Sequence, residues 1–192
     1  KSSLVTGLEV KETDDSFIVK GIIATTHIDS VGDKIAKSTL DKWAKEINDG
    51  NPRVNKVSYH HDRDDPRVVG VGLKGSAKVI PMDKGQYGLY VESEINKTHD
   101  LFNNIKYETE HKMLDSHSIE FTPPETPIFE QLAGTQVRLL DVNTDLYGWT
   151  LASRPINEYA VMLKEVMGSL ETVASECIVA VKETKGEGEK LI

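Results

Sequence analysis

Cysteine is nearly missing: the 192 residues contain one, Cys177, which excludes an internal disulfide and a thiolate metal cluster. Basic residues are outnumbered, 23 Lys and Arg against 31 Asp and Glu, for a net charge of −8. That balance argues against a nucleic-acid backbone as the main partner, because phosphate contacts need clustered Lys and Arg. No apolar run reaches the ~18 residues that span a bilayer. No basic-then-apolar leader opens the sequence, and a start at Lys1 leaves room for an upstream segment. What remains reads as a soluble, intracellular chain. With 38% hydrophobic and 28% charged residues it has material for one core and a short appendage.

The chain opens with extended patterns. Leu4 to Val10 and the β-branched run Phe17 to Thr26 flank a polar turn at Thr13-Asp14-Asp15, and the second run reads as a buried strand. Asp29-Ser30-Val31-Gly32-Asp33 is a turn, with Gly32 free to take positive φ. Ser38 followed by Asp41 resembles a capping box, and Leu40, Trp43, Ala44 and Ile47 make one apolar helix stripe that ends at Gly50 and Pro52. Strands follow at 54–59, at 68–80 and at 87–95, the last two joined by a hairpin turn at 81–85. A second helix is expected over 98–113, a short strand over 116–122, and a strand pair over 136–142 and 146–153. Asn157 caps a long helical stretch, and a polar tail follows Glu183. The pattern predicts an α+β fold, a small, largely antiparallel β-barrel or sheet flanked by helices. It divides at residue 156, with residues 1–156 as the domain and 157–192 as a C-terminal helix and tail. The helix stripe either packs on its own domain or docks on a partner.

Two motifs invite chemistry that their context refuses or weakens. Gly70-Val71-Gly72-Leu73-Lys74-Gly75 spells a dinucleotide fingerprint, but it sits inside a strand pattern with no helix after it, so it has nothing to receive a pyrophosphate. No cofactor is expected. His60-His61-Asp62, with Asp64 and Asp65, offers a metal loop, yet neighbouring strand residues point to opposite faces and do not readily converge on one ion. The rival use of one histidine is as a general base, its near-neutral pKa letting it take a proton from a nucleophile and return it. The partner would be a serine on another short strand. Ser116 and Ser118 share one face of the strand 116–122.

Three blocks in order resemble the prohead (capsid maturation) proteases of tailed phages, serine proteases whose fold is similar to herpesvirus assemblins. The first is strand 21–24, then Asp29-Ser30-Val31-Gly32-Asp33, then Leu40 and Trp43. The second is Val57-Ser58-Tyr59-His60-His61-Asp62 followed by Val68-Val69-Gly70-Val71, and the third is Ser118-Ile119-Glu120-Phe121. Downstream, 146–157 resembles the family's apolar strand ending in Pro-x-Asn, so the likeness covers about residues 15–160. It implies Ser118 as nucleophile and His61 as base, with His60 the fallback.

The resemblance also implies cleavage of scaffold and capsid-protein precursors inside the prohead, in the host cytoplasm. Those proteins would be the partners; the apolar stripe of the C-terminal helix, outside the likeness, offers a second copy of the chain as a further one, and neither nucleic acid nor a membrane is expected. Two residues depart from the family pattern. Glu120 stands where the family has glycine, and Gly148 stands where many relatives carry a glutamate, leaving Asp145 or Asp141 as stand-ins for a third catalytic residue. A catalytically inactive assembly module on the same fold, and a metal-binding hydrolase built on His60–Asp65, are the alternatives.

Overall fold

In a computed structural model, residues 9–60, 67–132 and 134–153 are described. They form a mixed α+β fold, mostly sheet. Eleven strands and two α-helices follow in the order β1 (Glu9–Glu12), β2 (Phe17–Thr25), β3 (Asp33–Ile35), α1 (Lys37–Asn48), β4 (Val57–Tyr59), β5 (Val68–Gly72), β6 (Lys78–Pro81), β7 (Tyr87–Ile95), α2 (Phe102–Glu110), β8 (Ser116–Thr122), β9 (Ile128–Leu132), β10 (Thr135–Leu140) and β11 (Asp145–Ala152). Eight strands make one sheet, ordered β1-β2-β7-β5-β4-β11-β8 with β6 also on β7, and β3-β10-β9 make a second. The large sheet curls into a half-barrel, bringing β8 back beside β2 without a shared ladder. The segment 157–192 lies outside the described residues.

Where the chain alternates strongly, the expected elements stand. β2 is buried along nearly its whole length, as its β-branched run requires. On α1, Leu40, Trp43, Ala44 and Ile47 are buried in a core that also holds Phe17, Val19, Ile23, Leu89, Val91, Trp149 and Leu151. The Trp43 indole N–H donates to the Thr144 carbonyl at 3.1 Å, so the ring is both buried and satisfied.

Three expectations need correction. The capping box at Ser38 is not used. The helix begins at Lys37 behind Ala36, Asp41 is bonded to Lys37 instead, and the Thr39 hydroxyl donates to the Leu140 carbonyl. The Ala36 N–H donates to that same carbonyl, so the end of β10 anchors the start of the helix. The expected strand 68–80 is two strands laid end to end along one edge of β7, paired at Ser93–Ile95 and at Tyr87–Tyr90. Between them the chain turns at Gly75, whose φ of +81° suits glycine. The expected pair 136–142 and 146–153 also fails. β10 lies between β3 and β9, and β11 between β4 and β8, so the turn at Asp141–Thr144 passes the chain from one sheet to the other.

The strand containing Gly70 and Gly72 is real, and closeness explains its glycines. A Cβ at Gly70 would stand 2.3 Å from the Glu94 carbonyl oxygen, and one at Gly72 2.5 Å from the Trp149 ring.

Candidate active site

Strand β8 pairs antiparallel with β11, which pairs parallel with β4. In those ladders Ser118 stands opposite Thr150, and Thr150 opposite Ser58. Directly paired residues share a face, so three hydroxyls form one row across three adjacent strands, about 10 Å from end to end. The row is buried, with exposures of 5%, 0% and 2% for Ser118, Thr150 and Ser58. The alternate residues of the same strands, His117, Leu151, Trp149 and Val57, are buried on the opposite face. The two faces of the sheet therefore carry different chemistry, apolar packing on one and hydroxyls on the other.

The two serines of β8 differ in what they already hold. The Ser116 hydroxyl donates to Asp115 Oδ1 at 2.6 Å, so its proton is engaged with a neighbour. Ser118 has no such bond to a described residue. Beside it, Thr150 Oγ1 donates to Glu120 Oε1 at 2.6 Å. Glu120 lies on the serine's own face of β8, directly opposite Gly148 in the ladder.

Gly148 is fixed by packing. A β-bulge between Leu146 and Gly148 brings its backbone so close to β4 that a Cβ would meet the Lys56 carbonyl oxygen at 2.5 Å. An acidic side chain at that position would force the strands apart. The two stand-ins for a third catalytic residue are engaged elsewhere. Asp145 is bonded to Lys42 Nζ at 2.7 Å, and Asp141 accepts from the backbone and side chain of Asn143.

Of the two histidines, the structure places His60, while His61 and the loop through residue 66 lie outside the described residues. β4 ends at Tyr59, and His60 has a left-handed φ of +54°. Strand alternation therefore stops one residue short of the histidines, and the expectation that His60 and His61 face opposite ways loses its basis. The His60 N–H still donates to the Leu151 carbonyl at 3.2 Å, which keeps the chain beside β11. Its ring packs on Tyr59, with centroids 4.1 Å apart, and its Nε2 is 3.9 Å from Glu108 Oε2 on α2. The Tyr59 hydroxyl donates to that same carboxylate oxygen at 2.8 Å. Burial, and then Glu108, push the Tyr59 pKa up to about 12, so it stays a neutral donor. Glu108 was not among the residues singled out from sequence, because a lone acid on a charged helix face carries no signal.

The block Asp29–Asp33 has a structural occupation. Asp29 Oδ1 accepts from the N–H groups of Val31 and Asp33, and Gly32 has a φ of +85°. The buried Asp33 carboxylate takes a bidentate fork from Arg138 on β10, at 2.7 and 2.5 Å. Burial raises the pKa of Asp29, whose backbone donors partly offset the effect. Among the described residues, no three His, Cys, Asp or Glu side chains are grouped to hold a metal ion. No helix among them is long and apolar enough to cross a membrane. Compared with family models, curated proteins and solved structures, the chain has no match.

Proposed function

We propose that the chain is a serine endopeptidase of the prohead-protease type, on an assemblin-like sheet, cleaving scaffold and capsid-protein precursors during shell maturation. One observation carries the reading: the ladders put Ser118 in a buried polar row across β8, β11 and β4, and β4 ends at Tyr59, two residues before His61 in the sequence. In that role the His61 imidazole takes the Ser118 hydroxyl proton as Oγ bonds to the scissile carbonyl carbon. The carbon–nitrogen bond then breaks, and the amine leaves with the proton from the imidazolium. Water adds to the acyl-enzyme with His61 again as base, releasing the acid and restoring the serine.

The engaged proton of Ser116 favours Ser118 as the nucleophile, and the family likeness, which sets the base directly before Asp62, favours His61. The test is production of the chain beside its capsid and scaffold proteins, as wild type and as Ser118→Ala, with mass spectrometry of the products. Defined new termini with the wild type, and none with the variant, are expected. Uncleaved partners in both cases would replace this reading with that of a non-catalytic assembly module.

A further inference from the structure

We infer that the outer edge of β9 is a docking surface for a second copy of this chain, whose own β9 adds antiparallel to it around a twofold axis. The inference stands apart from the proteolytic reading and rests on the three-stranded sheet. β9 is the last strand of that sheet, and no described strand pairs with its other side. In an antiparallel ladder the backbone groups of alternate residues turn toward the partner, and those of the rest turn away. β9 and β10 join through two residues between Leu132 and Thr135, a connection that leaves those two bonded to each other. Alternation then gives Glu130 and Ile128 to β10 and turns the N–H and C=O of Phe129 and Gln131 outward.

The other strand edges are blunted, and β9 is not. Lys11 and Glu12 on β1 are charged and exposed, β6 carries Lys78 and Pro81, β8 sits beside β2, and β3 has three residues. β9 instead exposes Ile128 at 43% and Phe129 at 55%. Singly, such side chains are ordinary on a surface, but adjacent on an open edge they favour the addition of another strand.

The side chains select the partner. Opposite residues in antiparallel strands share a face, so a twofold axis at Glu130 sets Ile128 against Leu132 of the second copy, and Leu132 against its Ile128. Phe129 and Gln131 then pair across the axis twice, and their outward groups make four hydrogen bonds. Moving the register by two residues in either direction would set the Glu130 carboxylate against apolar Ile128 or Leu132.

The axis also brings the two Glu130 carboxylates together, and the sheet already holds their countercharge. Lys34 on β3 reaches across β10, its Nζ donating to Glu130 Oε2 at 3.0 Å. The centre of the interface is therefore two lysines on two glutamates, with no net charge. A strand of unrelated sequence would lack this match, which is why the occupant is a second copy. Five residues from each copy make a small interface, so the dimer forms and dissociates with concentration.

Sedimentation equilibrium of the full chain over a range of concentrations should show monomer and dimer in exchange. Gln131→Pro removes two of the four hydrogen bonds and takes none from the β9–β10 ladder, so the dissociation constant should rise at least roughly tenfold. Lys34→Ala leaves the facing carboxylates to repel each other and should raise it several-fold. Glu130→Gln added to Lys34→Ala should return it close to the wild-type value.

Oxidative cross-linking reads the register. On a Cys177→Ser background, Glu130→Cys stands opposite itself and should give a covalent dimer. Ile128→Cys and Leu132→Cys would each lie about 14 Å along the strand from their own copies and should not. Thermal melting checks that each variant is folded, and if Gln131→Pro is not, the charge series and the cross-links decide. A chain that stays monomeric throughout, a dimer unchanged by Gln131→Pro and Lys34→Ala, or cross-linking at 128 or 132 in place of 130 would each overturn the proposal.

Discussion

His117 should make the fold lose stability in acid. It stands between Ser116 and Ser118 but faces the other way, paired with Leu151 and fully buried. Neither ring nitrogen makes a well-formed hydrogen bond with a described residue. Burial pushes its pKa down from 6.5 to about 4, and the nearby Ile22 backbone offsets only a little of that. The difference corresponds to about 3 kcal/mol.

The sign follows from which state holds the proton. Between pH 6.5 and 4 the unfolded chain binds a proton at this residue and the folded chain does not, so stability falls as the pH drops through that window. It is fully present above 6.5, and below about 4 the loss is complete. Urea unfolding of wild type and His117→Leu at pH 7.5, 5.5 and 4 isolates the effect, because the carboxylates are common to both. The wild type should lose about 3 kcal/mol more than the variant between the highest and lowest pH. At pH 7.5 the variant should match or exceed the wild type, since it removes two unpaired polar atoms from the core. Parallel pH profiles for the two proteins would refute the argument.

Trp43→Ala should cost about 3–5 kcal/mol, measured by denaturant unfolding, because the ring is completely buried and its N–H bonded. Arg138→Ala should cost about 3 kcal/mol by the same assay, since it leaves the buried Asp33 carboxylate unpaired. Asp33→Asn with Arg138 intact should cost less, because the guanidinium can reach water. Gly148→Ala should lower the melting temperature by an amount equivalent to about 1–3 kcal/mol, since its methyl group would press on the Lys56 carbonyl.

Legibility in the sequence followed the range of the forces involved. α1 and β2 were readable because each carries its periodicity within one short segment, and β8 because it is bounded by Pro123. β9 was missed: Ile128 to Leu132 is an exposed edge strand after a proline-rich stretch, with little alternation to mark it. The separation of β10 from β11 depends on partners far away in the chain, which no local pattern encodes.

The site divides the same way. Parity alone put Ser116, Ser118 and Glu120 on one face, and the ladder agrees. The Thr150–Glu120 bond needed the register across β8 and β11, including a bulge. The left-handed turn at His60 needed the structure itself, since such a φ is uncommon outside glycine and the few residues that tolerate it.

The alternation in β8 also bears on how this segment can change over generations. From Ser116 to Ser118 three successive side chains are buried, hydroxyl, imidazole, hydroxyl, each in a different environment from the next. A single inserted or deleted codon before this stretch would exchange the two environments, sending an imidazole to the polar row and a hydroxyl into the core. Substitution can therefore explore β8 one position at a time, whereas length variation there is closed. A library of single-codon insertions should show a gap across 116–120. Tolerance should return in the exposed turn at Pro123–Glu125, where the lost alignment no longer reverses any face.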